Sequence, residues 1–214
     1  MELNIQSPKQ AVSRSFGTYQ RKKISPSDFE AFVNALDNYF YYSNRAKNLA
    51  EKTEPHLLDF FKFFFPNAHH SAKEYGDKIF INAISENEKM TAEILIYNVD
   101  YNEPKNMVSV ENANVKSLHN LIIAYLSEVI ENENQTLKTG IITDTESFYI
   151  IDFQDFKSII NTEILITEFK NWKGENESET ATKAFYKAIK NAIQSNEIDL
   201  STIYFNLNEY QNPS

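Results

Sequence analysis

The chain has 214 residues and a net charge of −9, long enough for about one domain with a sizeable core. Its 42% hydrophobic content, 4 Gly and 6 Pro exclude a disordered or collagenous chain and leave no room for long flexible linkers. It has 16 Phe, 12 Tyr and no cysteine, which points to a ring-rich core and rules out disulfides, thiolate zinc sites and cysteine nucleophiles. No apolar run approaches the roughly 18 residues needed to span a bilayer. Met1 to Gln10 lacks a signal-peptide core, so a cytoplasmic location with no membrane partner is expected. The acidic balance argues against a basic field over the whole surface. A local cluster, Lys9, Arg14, Arg21, Lys22 and Lys23, could still meet phosphate, or could be a solvated basic stretch before a helix.

In chain order, Ser25-Pro26-Ser27-Asp28 reads as a helix start, with Phe29, Phe32, Val33, Leu36 and Phe40 on one face to about Tyr42. A second helix is expected from Arg45 to about Phe65, ended by Pro66-Asn67. His69-His70 then falls in a polar loop, and a neighbouring His pair can bind a metal, although no carboxylate stands nearby at ligand spacing. Lys78 to Ile84 and Ala92 to Val99 read as a hairpin joined by Ser85 to Lys89. Val115 to Ile130 reads as an amphipathic helix through Val115, Leu118, Ile122, Tyr125 and Val129. Gly140 to Asp144 and Phe148 to Asp152 read as interior strands, with the helix before them as a crossover. Phe153 to Glu168 and Thr180 to Gln194 are expected to be helical. Ile198 to Leu207 alternates as a last strand or an extended exit segment.

A hairpin, a crossover helix and two further strands is the element order of a restriction-endonuclease-like core: an α/β fold with a mixed central sheet flanked by helices. The wording of Lys116-Ser117-Leu118-His119-Asn120-Leu121-Ile122-Ile123-Ala124-Tyr125-Leu126-Ser127-Glu128 resembles the helix of the N-terminal nuclease domain of type IIG restriction–modification enzymes, where a Lys leads a helix with a Tyr-Leu-x-Glu end. The resemblance continues through Leu137 to Asp144 and Phe148 to Phe156, with further landmarks at Ser7 to Ala11 and Thr182 to Tyr186. Length and pattern together give a single domain over 1–214 as the expectation, with a helical N-terminal part over 1–70 and an α/β core with C-terminal helices over 71–214. The enzymes it resembles continue into a methyltransferase domain, so this chain is either a free-standing relative or a piece of a longer enzyme.

The resemblance also implies a PD-(D/E)xK site. An Asp on the first strand holds a divalent cation, an acid on the second shares it, and a Lys orients the attacking water or stabilises developing charge. Asp77, followed at once by Lys78, matches the first Asp within one residue. The acid-x-Lys falls on Tyr97-Asn98-Val99, so Tyr97 and Val99 stand where the acid and the Lys belong. Glu93, Asp100 and Lys105 are the candidates for a displaced site, with Glu111 or Glu128 reaching in from the helix side. Asp100, three residues from Tyr97, should face the opposite side of the strand. Glu93 shares the correct side but lies about 13 Å away at strand spacing.

Three readings follow. The first is a degenerate, non-cleaving restriction-endonuclease-like domain that binds DNA or a restriction–modification or defence protein and needs no cofactor. The second is an active Mg-dependent DNA endonuclease with a displaced carboxylate site around Asp77. The third is an acidic inhibitor or DNA mimic, motivated by the charge of −9.

Overall fold

A computed structural model of the chain describes residues 3–15, 24–73, 76–84, 90–154, 163–195 and 200–211. It is an α/β fold built on a mixed seven-stranded sheet with helices on both faces. The strands are β1 (Leu3–Gln6), β2 (Ala68–Lys73), β3 (Gly76–Ile84), β4 (Met90–Asn98), β5 (Thr139–Thr143), β6 (Ser147–Asp152) and β7 (Leu200–Asn206), in the spatial order β1-β7-β6-β5-β4-β3-β2. Two neighbouring pairs are parallel, β1 with β7 and β4 with β5; the others are antiparallel. Between β4 and β5 runs the crossover helix α4 (Lys116–Leu126), as its apolar periodicity predicts, and it ends in a π-helical turn over Ser127–Glu131.

Side-chain alternation sorts the strand residues between two cores. On one face Leu95, Tyr97, Ile142, Tyr149 and Ile151 pack with α4, α5 (Glu163–Gly174) and α6 (Glu179–Ser195). On the other, Ile79, Ile81, Ile96, Ile141 and Phe148 pack with α2 (Pro26–Asn48) and α3 (Glu54–Phe64). A short helix α1 (Pro8–Ser15) follows β1, and α7 (Asn208–Gln211) follows β7.

Several expectations are corrected. Helix α2 starts where Ser25 predicts, with a reciprocal capping box to Asp28, but runs past Tyr42 to Asn48. It stops because Ala50 turns into the left-handed region at φ 54°, with Ala50 N–H donating to Lys47 O and Glu51 N–H to Ala46 O, the two bonds of a Schellman stop. The helix expected from Arg45 therefore begins only at Glu54. His69-His70 lies in strand β2, not a loop, and the exposed His69 stacks on Phe80 of the neighbouring strand. The stretch 1–70 is not wholly helical, since β1 and the start of β2 fall in it. The helix expected to end at Glu168 continues to Gly174, with Phe169 and Trp172 in the core. The hairpin turn at 85–89 and most of the first part of the helix expected from Phe153 lie outside the described residues.

Candidate functional site

The strand that the sequence marks as decisive, β4, is central, and both of its faces are covered at the C-terminal end. Register aligns Lys78 of β3, Tyr97 of β4, Ile142 of β5, Tyr149 of β6 and Tyr204 of β7 in one row across the sheet. Directly paired residues on neighbouring strands share a face, so this end of the sheet carries a lysine and three tyrosines beneath the start of α4. Lys78 is only 5% exposed. The rings of Tyr149 and Tyr204 meet at 4.7 Å.

Helix α4 lowers Asn120 onto this row. Its Nδ2 donates to the Tyr97 hydroxyl at 2.8 Å, and its Oδ1 accepts from the Tyr186 hydroxyl of α6 at 3.4 Å. One residue back, His119 Nε2 lies 2.6 Å from Asn114 Oδ1, and its ring meets that of Tyr186 edge-on. Burial, with Lys190 nearby, holds the His119 pKa below its usual value. Burial likewise raises Tyr186, with Tyr97 adding to it, and pushes Tyr149 up to about 12, helped by Tyr204, Asp144 and Glu111. Tyr149 and Tyr186 thus stay protonated at neutral pH, and Tyr186 donates its proton to Asn120. Asn120 was not singled out from sequence. Its signal was an amide inside an otherwise apolar helix face, which a buried position tolerates only with partners.

The residues weighed as a metal site are dispersed. Tyr97 is buried within the Asn120 network, and Val99 is 2% exposed with its N–H donating to Thr143 O. Glu93, at the far end of β4, is ion-paired with Lys138. Asp100 is exposed beyond the strand and accepts from the Asn102 N–H. Lys105 is exposed in the 3-10 turn Pro104–Asn106, and Glu111 is exposed in the loop before α4. Glu128 sits at the other end of α4, held by Asn132 and Asn134, the latter also donating to Ala92 O. Asp77 falls in β3, and its side chain lies outside the described residues, as do the side chain of Arg14 and all of Arg21, Lys22 and Lys23. Lys9 is exposed on α1. Among the described residues, no three His, Asp or Glu side chains come together to hold a metal ion.

At the same strand end is a cleft of about 310 Å³ between the turn joining α2 to α3, the segment following β4 and the start of α4, with Tyr97 also lining it. Asn98 lines it, donating from Nδ2 to Thr53 Oγ1 at 3.4 Å, and Tyr101 closes one side with its hydroxyl on Glu51 O.

The family described as Domain of unknown function (DUF7149) matches residues 6–214. The chain belongs to that family. No curated protein and no solved structure matches it.

Proposed function

We propose that this chain is a restriction-endonuclease-like domain, related to restriction–modification or defence proteins, that has lost cleavage and acts by binding DNA or a partner protein. The element order supports it: the β3–β4 hairpin, crossover helix α4, β5 parallel to β4, and β6 follow the order the resemblance implies. One observation carries the loss of cleavage. Where an acid and a lysine would share a metal and a water, Tyr97 holds a buried phenol bonded to Asn120, and Val99 is packed in the core. A phenol and an isopropyl group cannot replace a carboxylate in binding Mg²⁺ or an ammonium in offsetting charge on phosphate.

Incubating the purified protein with supercoiled plasmid and Mg²⁺ or Mn²⁺ tests this. The expected result is no nicked or linear product above a metal-free control. Nicking that Asp77→Ala abolishes would sink the reading and install the displaced-site nuclease in its place.

A further inference from the structure

Strand β2 ends the sheet on one side, and among the described residues no strand pairs with its outer edge. Its six residues, Ala68-His69-His70-Ser71-Ala72-Lys73, contain no proline, and the one full charge stands at the last position. Its register with β3 runs without a bulge. The devices that usually keep an open edge from pairing are therefore sparse here. Ala68 N–H donates to Phe65 O instead of to β3. The ladder to β3 thus starts at His69, and alternation turns the N–H and C=O of His70 and Ala72 outward, where a further strand would satisfy them.

Helix α3 packs over this strand. Its last turn and cap leave Phe63, Phe64 and Phe65 47%, 40% and 39% exposed, and Phe29, one turn before Phe32 on α2, is 60% exposed. The rings of Phe63, Phe64 and Phe65 meet in succession, and Phe64 also meets Phe32. At about 200 Å² for a whole phenylalanine, these four leave on the order of 350 Å² of phenyl surface in water. A patch of that size beside an open sheet edge marks an interaction surface.

We infer that β2 pairs antiparallel with β2 of a second copy of this chain, about a twofold axis normal to the sheet. Antiparallel pairing through the same edge keeps the same face of both sheets upward, so α3 of each copy comes to lie beside α3 of the other. Phenyl rings then meet phenyl rings. The strand edge, about 20 Å long and about 10 Å thick, adds on the order of 200 Å². With the rings, each copy contributes about 550 Å², close to the roughly 600 Å² per partner at which stable interfaces begin. Antiparallel order also sets Lys73 of one copy beside Ala68 of the other, where α3 ends and its last carbonyls carry partial negative charge. Two seven-stranded sheets become one, and the contact closes at two copies. It rests on the sheet edge and its rings, so it stands whatever the plasmid assay returns.

Sedimentation velocity of the full-length protein over about 1 to 100 µM tests it, a range that covers ordinary dimer affinities. A monomer–dimer equilibrium with no larger species is expected. Phe63→Glu, present in both copies, should weaken association at least about tenfold. His70→Pro, which removes an outward N–H and spares the ladder to β3, should do the same; if circular dichroism shows that it fails to fold, Phe63→Glu and amide exchange decide. Hydrogen exchange at the His70 and Ala72 amides should be slower in the dimer than in Phe63→Glu held at a concentration where it is monomeric. A dimer that Phe63→Glu or a folded His70→Pro leaves intact, species larger than two, or equally fast exchange at both amides overturns the inference. So does a monomer throughout the range, which would leave the edge and its rings to an extended segment of another protein.

Discussion

At the scale of single residues, Ala50 and Tyr149 carry the clearest consequences. Ala50 occupies the left-handed position that ends α2, at φ 54°, where a Cβ costs about 1–2 kcal/mol. Glycine removes that strain but gains freedom in the unfolded chain, which takes back part of the benefit. Ala50→Gly is therefore expected to stabilise by about 0.5–1 kcal/mol, a rise in melting temperature of roughly 1–4 °C by calorimetry. A fall would mean that the Ala50 methyl, which lines the Asn98 cleft, contributes more by packing than it costs in strain. Tyr149 gives a pH dependence. Its folded pKa is pushed up to about 12 from the usual 10, chiefly by burial, so the folded state holds the phenolic proton more tightly than the unfolded state. The stability this confers is fully present below pH 10 and is lost as pH rises through about 12. Urea denaturation between pH 9 and 12 should show that decline, and Tyr149→Phe should make it shallower, leaving the part due to Tyr39, Tyr125 and Tyr186, whose phenols burial also pushes up; an equal decline in the variant would remove Tyr149 as a contributor.

At the scale of elements, the hardest junction is α4 against β5. A Cβ built on Gly140 would fall 2.6 Å from Phe153 Cζ and 2.9 Å from Leu121 Cδ2. Leu121 and Phe153 are wholly buried, and the Phe153 ring meets that of Tyr125 at 4.7 Å in a tilted contact, so neither has room to yield. Gly140→Ala should cost about 1–3 kcal/mol by overpacking, seen as a lower urea midpoint at an unchanged slope. A change below about 0.5 kcal/mol would mean that the helix shifts as a body. The strands and helices with a strong period were legible in the sequence: α4, α6 and the pairs β3–β4 and β5–β6 lie close to where their alternation or 3.6-residue spacing puts them. The missed elements had no such period. β1 is four residues long, and its place is fixed by parallel pairing with β7, 197 positions away in register. β2 has two histidines and a lysine and becomes a strand because β3 offers it an edge. The α2 stop depends on an alanine in a glycine conformation, which no propensity signals. The same division holds at the site. Tyr97 and Val99 could be placed at the end of one strand from the sequence, whereas the Tyr97–Asn120–Tyr186 link joins three elements and the cleft beside Asn98 needs both the α2–α3 turn and the end of β4.

At the scale of the whole molecule, a net charge of −9 makes long-range attraction to DNA unfavourable, so DNA binding has to be local and strongly screened by salt. The local source the sequence offers for the proposed DNA contact is Lys9, Arg14, Arg21, Lys22 and Lys23. Lys9 and Arg14 lie on α1, which packs against β7, the strand next to the β1 edge of the sheet. If all five cations meet phosphates, the logarithm of the association constant should fall with the logarithm of salt at a slope no steeper than about −4.5. That is a loss of up to roughly 500-fold in affinity between 50 and 200 mM salt. Fluorescence anisotropy with a labelled duplex measures this slope. Replacing Lys9 and Arg14 by Glu should weaken binding at every salt concentration and make the slope shallower by about 2, because two neutralised phosphates are lost. A slope near zero, or a slope unchanged in the double variant, would remove DNA from the reading and leave the partner protein. The acidic remainder of the surface then becomes the relevant face, since a basic partner would be drawn to the charge that keeps DNA away.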